Sequence, residues 1–248
     1  MDSPLFVFVH GFLGFDGIRV LGRRIDYFRD LDRYLGSLGL WVFFPELPST
    51  GTVPQRARAL AEQLDAIPAK RVKLIAHSMG GLDCRYYIHH LDPRRRVRSL
   101  ATVATPHRGS PLAQWLLESR GAVQWIGRRW LRDGLESLTP QSLRRFNEQV
   151  PDRPDVRYIS YAGVRPVAEM PPWFRAWTRI VAAQAGDNDS QVPLSSAVWG
   201  EFKGSVRADH LELAGWNLGW PDRHSQRPFD HLGFYRRVVA ELLADAWV

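Results

Sequence analysis

The clearest chemical potential in this chain lies in Ile75-Ala76-His77-Ser78-Met79-Gly80-Gly81. A strand-like run precedes the serine and a helical pattern starts near Leu82. A serine on such a turn is lifted above a sheet, at a helix start that favours developing negative charge. Ala76 stands where the pattern G-x-S-x-G has its first glycine, and it is still small enough for close backbone approach. Acyl transfer at that hydroxyl also needs two N–H donors for the oxyanion. His10-Gly11-Phe12-Leu13-Gly14, directly after the first apolar run, can supply one from Phe12, and Met79 can supply the other.

A serine hydroxyl needs a general base, and the base needs a carboxylate to hold its tautomer. If the order is serine, acid, histidine, then Gly186-Asp187-Asn188-Asp189-Ser190-Gln191-Val192-Pro193 offers the acid. Asp189 is favoured there, with Asp187 as the alternative. His210, in Ala208-Asp209-His210-Leu211-Glu212, is the favoured base because a strand-to-loop position can swing over the sheet edge; His231 and His224 are the alternatives. His77, His89, His90 and His107 precede any acid candidate and are expected to be structural. Cys84, the single cysteine, excludes an intramolecular disulfide and reads as a buried thiol.

These residues need a scaffold, and the apolar pattern provides one. Leu5–Val9, Leu40–Phe44, Val72–Ala76 and Leu100–Ala104 are short and almost continuously apolar, as strands buried on both faces of a parallel sheet are. Between them, Leu31, Leu35 and Leu38 share a helical face, as do Ala57, Leu60, Ala61 and Leu64, with Pro54 at the helix start. Val156–Ala162 and Gly204–Arg207 read as later strands and Phe234–Trp247 as a closing helix packed through Val238, Val239, Leu242 and Leu243. The alternation predicts one α/β domain over residues 1–248, with a mostly parallel central sheet flanked by helices.

From Pro111 to Val150 the rhythm changes to helical spacing without strands. Trp115, Trp125 and Trp130 interleave there with Arg120, Arg128, Arg129 and Arg132, and Trp173 and Trp177 follow in a second aromatic segment. Residues 111–150, extended by 165–180, are the expected lid; a fixed apolar cap is the other reading. Apolar faces bearing Trp and Arg suit a lipid–water boundary.

Taken together, His10–Gly14, Ala76–Gly81, Thr105–Ser110, Asn188-Asp189 and His210–Glu212 resemble the bacterial triacylglycerol lipases of the Pseudomonas and Burkholderia type. The likeness extends through Phe146-Asn147 and Arg157–Gly163. It implies an α/β-hydrolase fold, carboxylester hydrolysis and a mobile helical lid. By the same resemblance Ser78, Asp189 and His210 form the triad, and Phe12 and Met79 the oxyanion hole. Such lipases often bind a structural calcium, for which Glu169 and Glu212 are the candidates; the alternative is two solvated or ion-paired glutamates. No cofactor is expected for the chemistry itself. A short-chain esterase, thioesterase or phospholipase using the same triad is the nearer rival, and a non-catalytic lipid-surface protein the farther one.

Composition sets outer bounds. At 248 residues, 45% hydrophobic and 24% charged, the chain resembles neither a disordered tail nor a polytopic membrane protein. The net charge is +7, and only Lys70, Lys73 and Lys203 among 33 basic residues are lysines, which leaves 30 arginines. The arginines are scattered among apolar residues, and no zinc-ligand or RNA-binding aromatic pattern accompanies them. A solvated basic surface is expected and a nucleic-acid partner is not. The substrate is expected to be a lipid or small ester. No apolar run approaches the roughly 20 residues of a membrane span. The amino terminus lacks an export-signal pattern, so the chain as written reads as cytoplasmic, or as secreted if such a signal was removed.

Overall fold

The computed structural model describes residues 3–14, 18–20, 23–119, 131–217 and 228–244, with side chains omitted for 18–20 and 23–25. Six strands form a fully parallel sheet: β1 (Leu5–Val9), β4 (Val42–Phe43), β5 (Val72–His77), β6 (Val97–Val103), β7 (Arg157–Gly163) and β8 (Glu201–Val206). Their order is β4-β1-β5-β6-β7-β8; a separate hairpin joins β2 (Ile18–Val20) to β3 (Arg23–Ile25). The expected α/β-hydrolase architecture, a parallel sheet flanked by helices with a helical insertion, is what forms.

The strands are apolar throughout because both faces are covered. Leu5, Val7 and Val9 pack with Leu74 and Leu100 against α2 (Val53–Asp65) and α3 (Gly80–Tyr86). Phe6 and Phe8 alternate to the other face, where Ile75 and Val103 meet α1 (Leu31–Ser37) and α9 (His231–Leu243). That alternation follows from the two-residue repeat of a strand. Helix α2 starts at a capping box of Thr52 and Gln55, with Pro54 in its first turn.

Three expectations need adjusting. Leu38 is half exposed, because α1 ends at Ser37 and Gly39, at φ 74°, turns the chain away. Leu243 is likewise half exposed, and Trp247 lies outside the described residues. The strand expected over Leu40–Phe44 pairs only at Val42–Phe43, as befits a sheet edge.

The insertion contains α4 (Pro111–Glu118), α5 (residues 131–137) and α6 (Pro140–Gln149). Trp125, Trp130, Arg120, Arg128 and Arg129 lie outside the described residues. Beyond β7 come α7 (Arg175–Ala185) and the short α8 (Leu194–Ala197). No helix among the described residues is long and apolar enough to cross a membrane.

Candidate active site

The sheet order reverses between β1 and β5: β1 is followed outward by β4, whereas β5 leads the other way to β6, β7 and β8. A crevice opens beyond the carboxyl ends of strands at such a reversal. The His10 loop leaves β1 there, and Ser78 leaves β5.

Ser78 has φ 55°, a left-handed conformation that costs a non-glycine residue about 1–3 kcal/mol. The surroundings hold it there. Its N–H donates to Val103 O (2.9 Å), and its carbonyl accepts from Thr105 Oγ1 (2.7 Å) and Gly81 N–H (3.1 Å). A Cβ on Gly80 would sit 2.6 Å from Val9 O, so the tight approach of the turn to β1 requires glycine. The sharp turn aims Oγ out of the sheet.

His210 faces that oxygen, with Nε2 3.0 Å from Ser78 Oγ. Its Nδ1 donates to Asp189 Oδ2 at 2.7 Å, and its backbone N–H donates to Asp189 O at 2.8 Å. Asp189 is fully buried, and its other oxygen accepts from Gln191 N–H (3.0 Å) and Val192 N–H (2.7 Å). Three bonds thus fix the carboxylate and a fourth its backbone carbonyl, and the imidazole is left one tautomer, with Nε2 free to accept from the serine. Asp187, the alternative acid, is exposed. His231, at the start of α9, donates from Nε2 to Arg29 O, and His224 lies outside the described residues.

Phe12, in the loop after β1, lines the same cavity as Ser78, and Met79 follows Ser78 directly in the chain. Among the described residues neither N–H donates to a backbone carbonyl. The His10 loop carrying Phe12 is held from beneath by Arg56, fully buried on α2. Arg56 Nη2 donates to His10 O (2.6 Å), Nη1 to Pro48 O (2.7 Å) and Nε to Asp83 Oδ2 on α3 (2.7 Å). His10 itself donates from Nδ1 to Gly11 O and accepts at Nε2 from Leu47 N–H. Burial, reinforced by Arg56, pushes its pKa down to about 4, while burial pushes Asp83 up to about 6 against the pull of Arg56.

A cavity of about 550 Å³ lies over Ser78. Leu112, Leu116, Leu131 and Leu135 of the insertion roof it, with Trp177 of α7 and Trp216 at the sides. Trp115 and Trp173, both well exposed, neighbour lining residues Leu116 and Phe174.

Several contributors carry no sequence signal. Tyr27 Oη bonds His77 Nδ1 (2.7 Å), and the buried His77 ring packs 4.6 Å from that of His210. Trp216 Nε1 donates to Tyr27 O. The expectation of a solvated basic surface is corrected for Arg56, Arg85, Arg96 and Arg165, which are buried. Arg85, for instance, lies 3.9 Å over the Trp199 ring and donates to Asn147 Oδ1 and Val150 O. Cys84 is buried, as expected, and burial pushes its thiol well up.

The glutamates considered for calcium do not suit that ion. Glu212 Oε2 accepts from Arg165 Nη1 (2.7 Å) and Asp209 N–H (3.0 Å), while Glu169 is ion-paired with Arg207. Each carboxylate is committed to its own arginine, whereas calcium needs six to eight converging oxygens. Among the described residues no three His, Cys, Asp or Glu side chains are grouped to hold a metal.

Comparison with known proteins agrees with this geometry: the pattern for the alpha/beta hydrolase fold matches residues 4–221. The chain belongs to the α/β-hydrolase family. It falls among the lipases and esterases of that family. It is 32% identical to triacylglycerol lipase 2 of Saccharomyces cerevisiae, over 88% of this chain and 74% of that one. It is 26% identical to a triacylglycerol lipase of Vibrio cholerae, over 95% and 86%. Among solved structures, the lipase of Staphylococcus hyicus superposes with a TM-score of 0.73 at 17% identity, covering 97% of this chain and 96% of that one. The likenesses span yeast and several bacteria. They support the superfamily assignment and do not favour the Pseudomonas and Burkholderia lineage expected from the motifs.

Proposed function

We propose that the chain is a serine carboxylester hydrolase whose substrates are neutral acylglycerol esters, that is, a lipase. The observation that carries this reading is the unbroken run from Asp189 through His210 to Ser78, at 2.7 and 3.0 Å, under an apolar cavity. Ser78 Oγ attacks the ester carbonyl carbon as its proton passes to His210 Nε2. Asp189 stabilises the imidazolium and keeps the ring oriented. The N–H groups of Phe12 and Met79 receive the oxyanion, where losing one donor typically costs about 3–4 kcal/mol. Collapse breaks the ester C–O bond, and the alcohol leaves with the proton from His210. Water, deprotonated by His210, then attacks the acyl-enzyme; the carboxylic acid departs and Ser78 regains its proton.

The cavity favours uncharged acyl chains over charged headgroups. Among the described residues no Asp, Glu, Lys or Arg lines it. The names of the yeast and Vibrio relatives support the same substrate class. Exposed Leu13, Trp115 and Trp173 at or beside the cavity rim suit contact with a lipid–water interface, with residues 111–150 as the lid. Labelling with a fluorophosphonate probe followed by peptide mapping is the direct test. A single adduct on Ser78 is expected; an adduct elsewhere, or none, overturns the reading. Hydrolysis of emulsified triglyceride against glycerophospholipid then tests the substrate class, and preference for the phospholipid would overturn that part.

A further inference from the structure

Resting on that reading, we propose that Arg165 is a positioning residue for the catalytic base: its buried guanidinium occupies a cation's place between the loops that carry Asp189 and His210. Arg165 lies two residues beyond β7, and its side chain is 1% exposed. Its backbone N–H donates to Asn188 O (3.1 Å), next to the acid. Its Nη1 donates to Glu212 Oε2 (2.7 Å) and reaches Asp209 Oδ2 (3.5 Å). One residue therefore grips both loops of the relay.

The two carboxylates it grips bracket the base in sequence. Asp209 Oδ1 accepts from Leu211 N–H (2.9 Å) and Glu212 N–H (3.0 Å), and Glu212 Oε2 accepts in return from Asp209 N–H (3.0 Å). This reciprocal cap begins the single 3-10 turn Glu212–Ala214 and sets the backbone on either side of His210. Both carboxylates are buried, and burial raises both pKa values against the opposing pull of Arg165. Without the guanidinium the cap would hold carboxyl groups close to one another with no cation between them. The loop would have to relax, and a displacement of about 1 Å at a catalytic group can cost on the order of a hundredfold in rate.

The charges facing His210 from the elements packed on it are few among the described residues. Asp189 bonds Nδ1, and Ser78 bonds Nε2. The His77 ring, itself bonded to Tyr27 Oη, is kept neutral by burial and by the neighbouring His210. Asp209 and Glu212 lie one residue before and two after His210 in the chain, and Arg165 pairs with both. Two substitutions in that set should therefore move the base in opposite directions.

The experiment begins with the wild type, labelled by a fluorophosphonate at Ser78 and turning over p-nitrophenyl butyrate; failure here is failure of the hydrolase reading, not of Arg165. The variants Arg165→Met, Arg165→Lys and Glu212→Gln are then compared by kcat, KM and the acid limb of kcat/KM. In Arg165→Met, kcat should fall roughly ten- to a hundredfold with KM little changed, since the cavity is untouched. Its acid limb should move up by about half a pH unit, because two carboxylates lose their cation beside the base. Arg165→Lys should recover part of both. Glu212→Gln keeps the hydrogen bond but deletes a negative charge, so its acid limb should move down. A folded Arg165→Met with wild-type kcat and acid limb overturns the proposal. If Arg165→Met does not fold, Glu212→Gln decides, and an unmoved or upward limb overturns it. Calcium chloride or EDTA added to the wild type should change neither rate nor melting midpoint; a chelator-sensitive midpoint shows that a metal, not Arg165, holds that place.

Discussion

The floor and the roof of the cavity are built from opposite kinds of contact. Beneath Ser78, buried polar groups converge: Arg56 on His10 O and Asp83, Thr105 on Ser78 O, and Val192 N–H on Asp189. Above it, the insertion rests on Met79, Leu82 and Phe12 through Leu131, Leu135, Leu138 and Leu143. Polar bonds have preferred directions and are costly to leave unmade, so they fix angles. Apolar contact is non-directional and tolerates sliding. Among the described residues the roof's polar anchors to the body lie at its feet, where Asn147 Nδ2 donates to His107 O, Ser110 Oγ to Gln191 O, and Arg85 to Asn147 Oδ1 and Val150 O. The difference separates a floor whose angles are set by polar bonds from a roof held largely by apolar contact.

The largest test addresses the floor's purpose. Ser78→Ala should lose at least about a thousandfold in turnover with its melting midpoint kept, since only the reacting oxygen is removed. Substantial activity in that variant would take Ser78 out of the mechanism and leave the floor a structural device. Next comes the floor's strength. Arg56→Met strands the buried Asp83 carboxyl and the His10 carbonyl, and should cost about 3–5 kcal/mol in urea unfolding. A loss under about 1 kcal/mol, within the range of exposed ion pairs, would mean that the buried network contributes no more than surface charge does.

A somewhat smaller effect reads the same floor through pH. His10 is neutral when folded, with a pKa of about 4 against the ordinary 6.5. The unfolded chain therefore takes up a proton before the folded one. The stability His10 contributes is whole above pH 6.5 and declines by up to about 3 kcal/mol as pH falls to 4. Asp83, raised to about 6, acts with the opposite sign in that window, so only a comparison isolates the histidine. Replacing His10 with Asn should flatten the fall in unfolding free energy between those pH values; parallel curves for the two proteins would remove His10 from the account.

Legibility in the sequence divides along the same line. Leu5–Val9 and Val72–Ala76 announced buried parallel strands because a doubly covered strand has no polar side to show. Ser78 was legible because its turn needs small neighbours at fixed positions, and Asp189 and His210 because the order serine, acid, histidine left only Asp187, His224 and His231 beside them; the structure brings Ser78, Asp189 and His210 together. Arg56 and Arg165 were not legible. An arginine is coded alike whether solvated or buried, and what buries these two is a carboxylate 27 residues away on another helix and one 47 residues away in another loop. Tyr27 and Trp216 were missed for the same reason, since their partners are 50 and 189 positions distant.

The smallest predicted effect concerns the roof, and there a single glycine carries the argument. A Cβ on Gly134 of α5 would lie 2.1 Å from Cε2 of the Phe12 ring. The roof therefore closes on the side chain of the same residue whose N–H is proposed to meet the oxyanion, with glycine leaving room for the ring. Gly134→Ala puts a methyl into that contact. Overpacking of this kind costs at least about 1 kcal/mol where it cannot be relieved, and here relief is available by lifting α5. If the cover shifts, such a cost raises the uncovered fraction about fivefold, and hydrolysis of a dissolved short-chain ester should rise towards that factor while the jump in rate beyond the ester's solubility limit shrinks. If the cover is fixed, the same methyl only strains it: the melting midpoint falls, and the dissolved-ester rate stays level or drops. The sign of the rate change therefore separates a lid from a cap, and it does so without disturbing any polar bond of the floor.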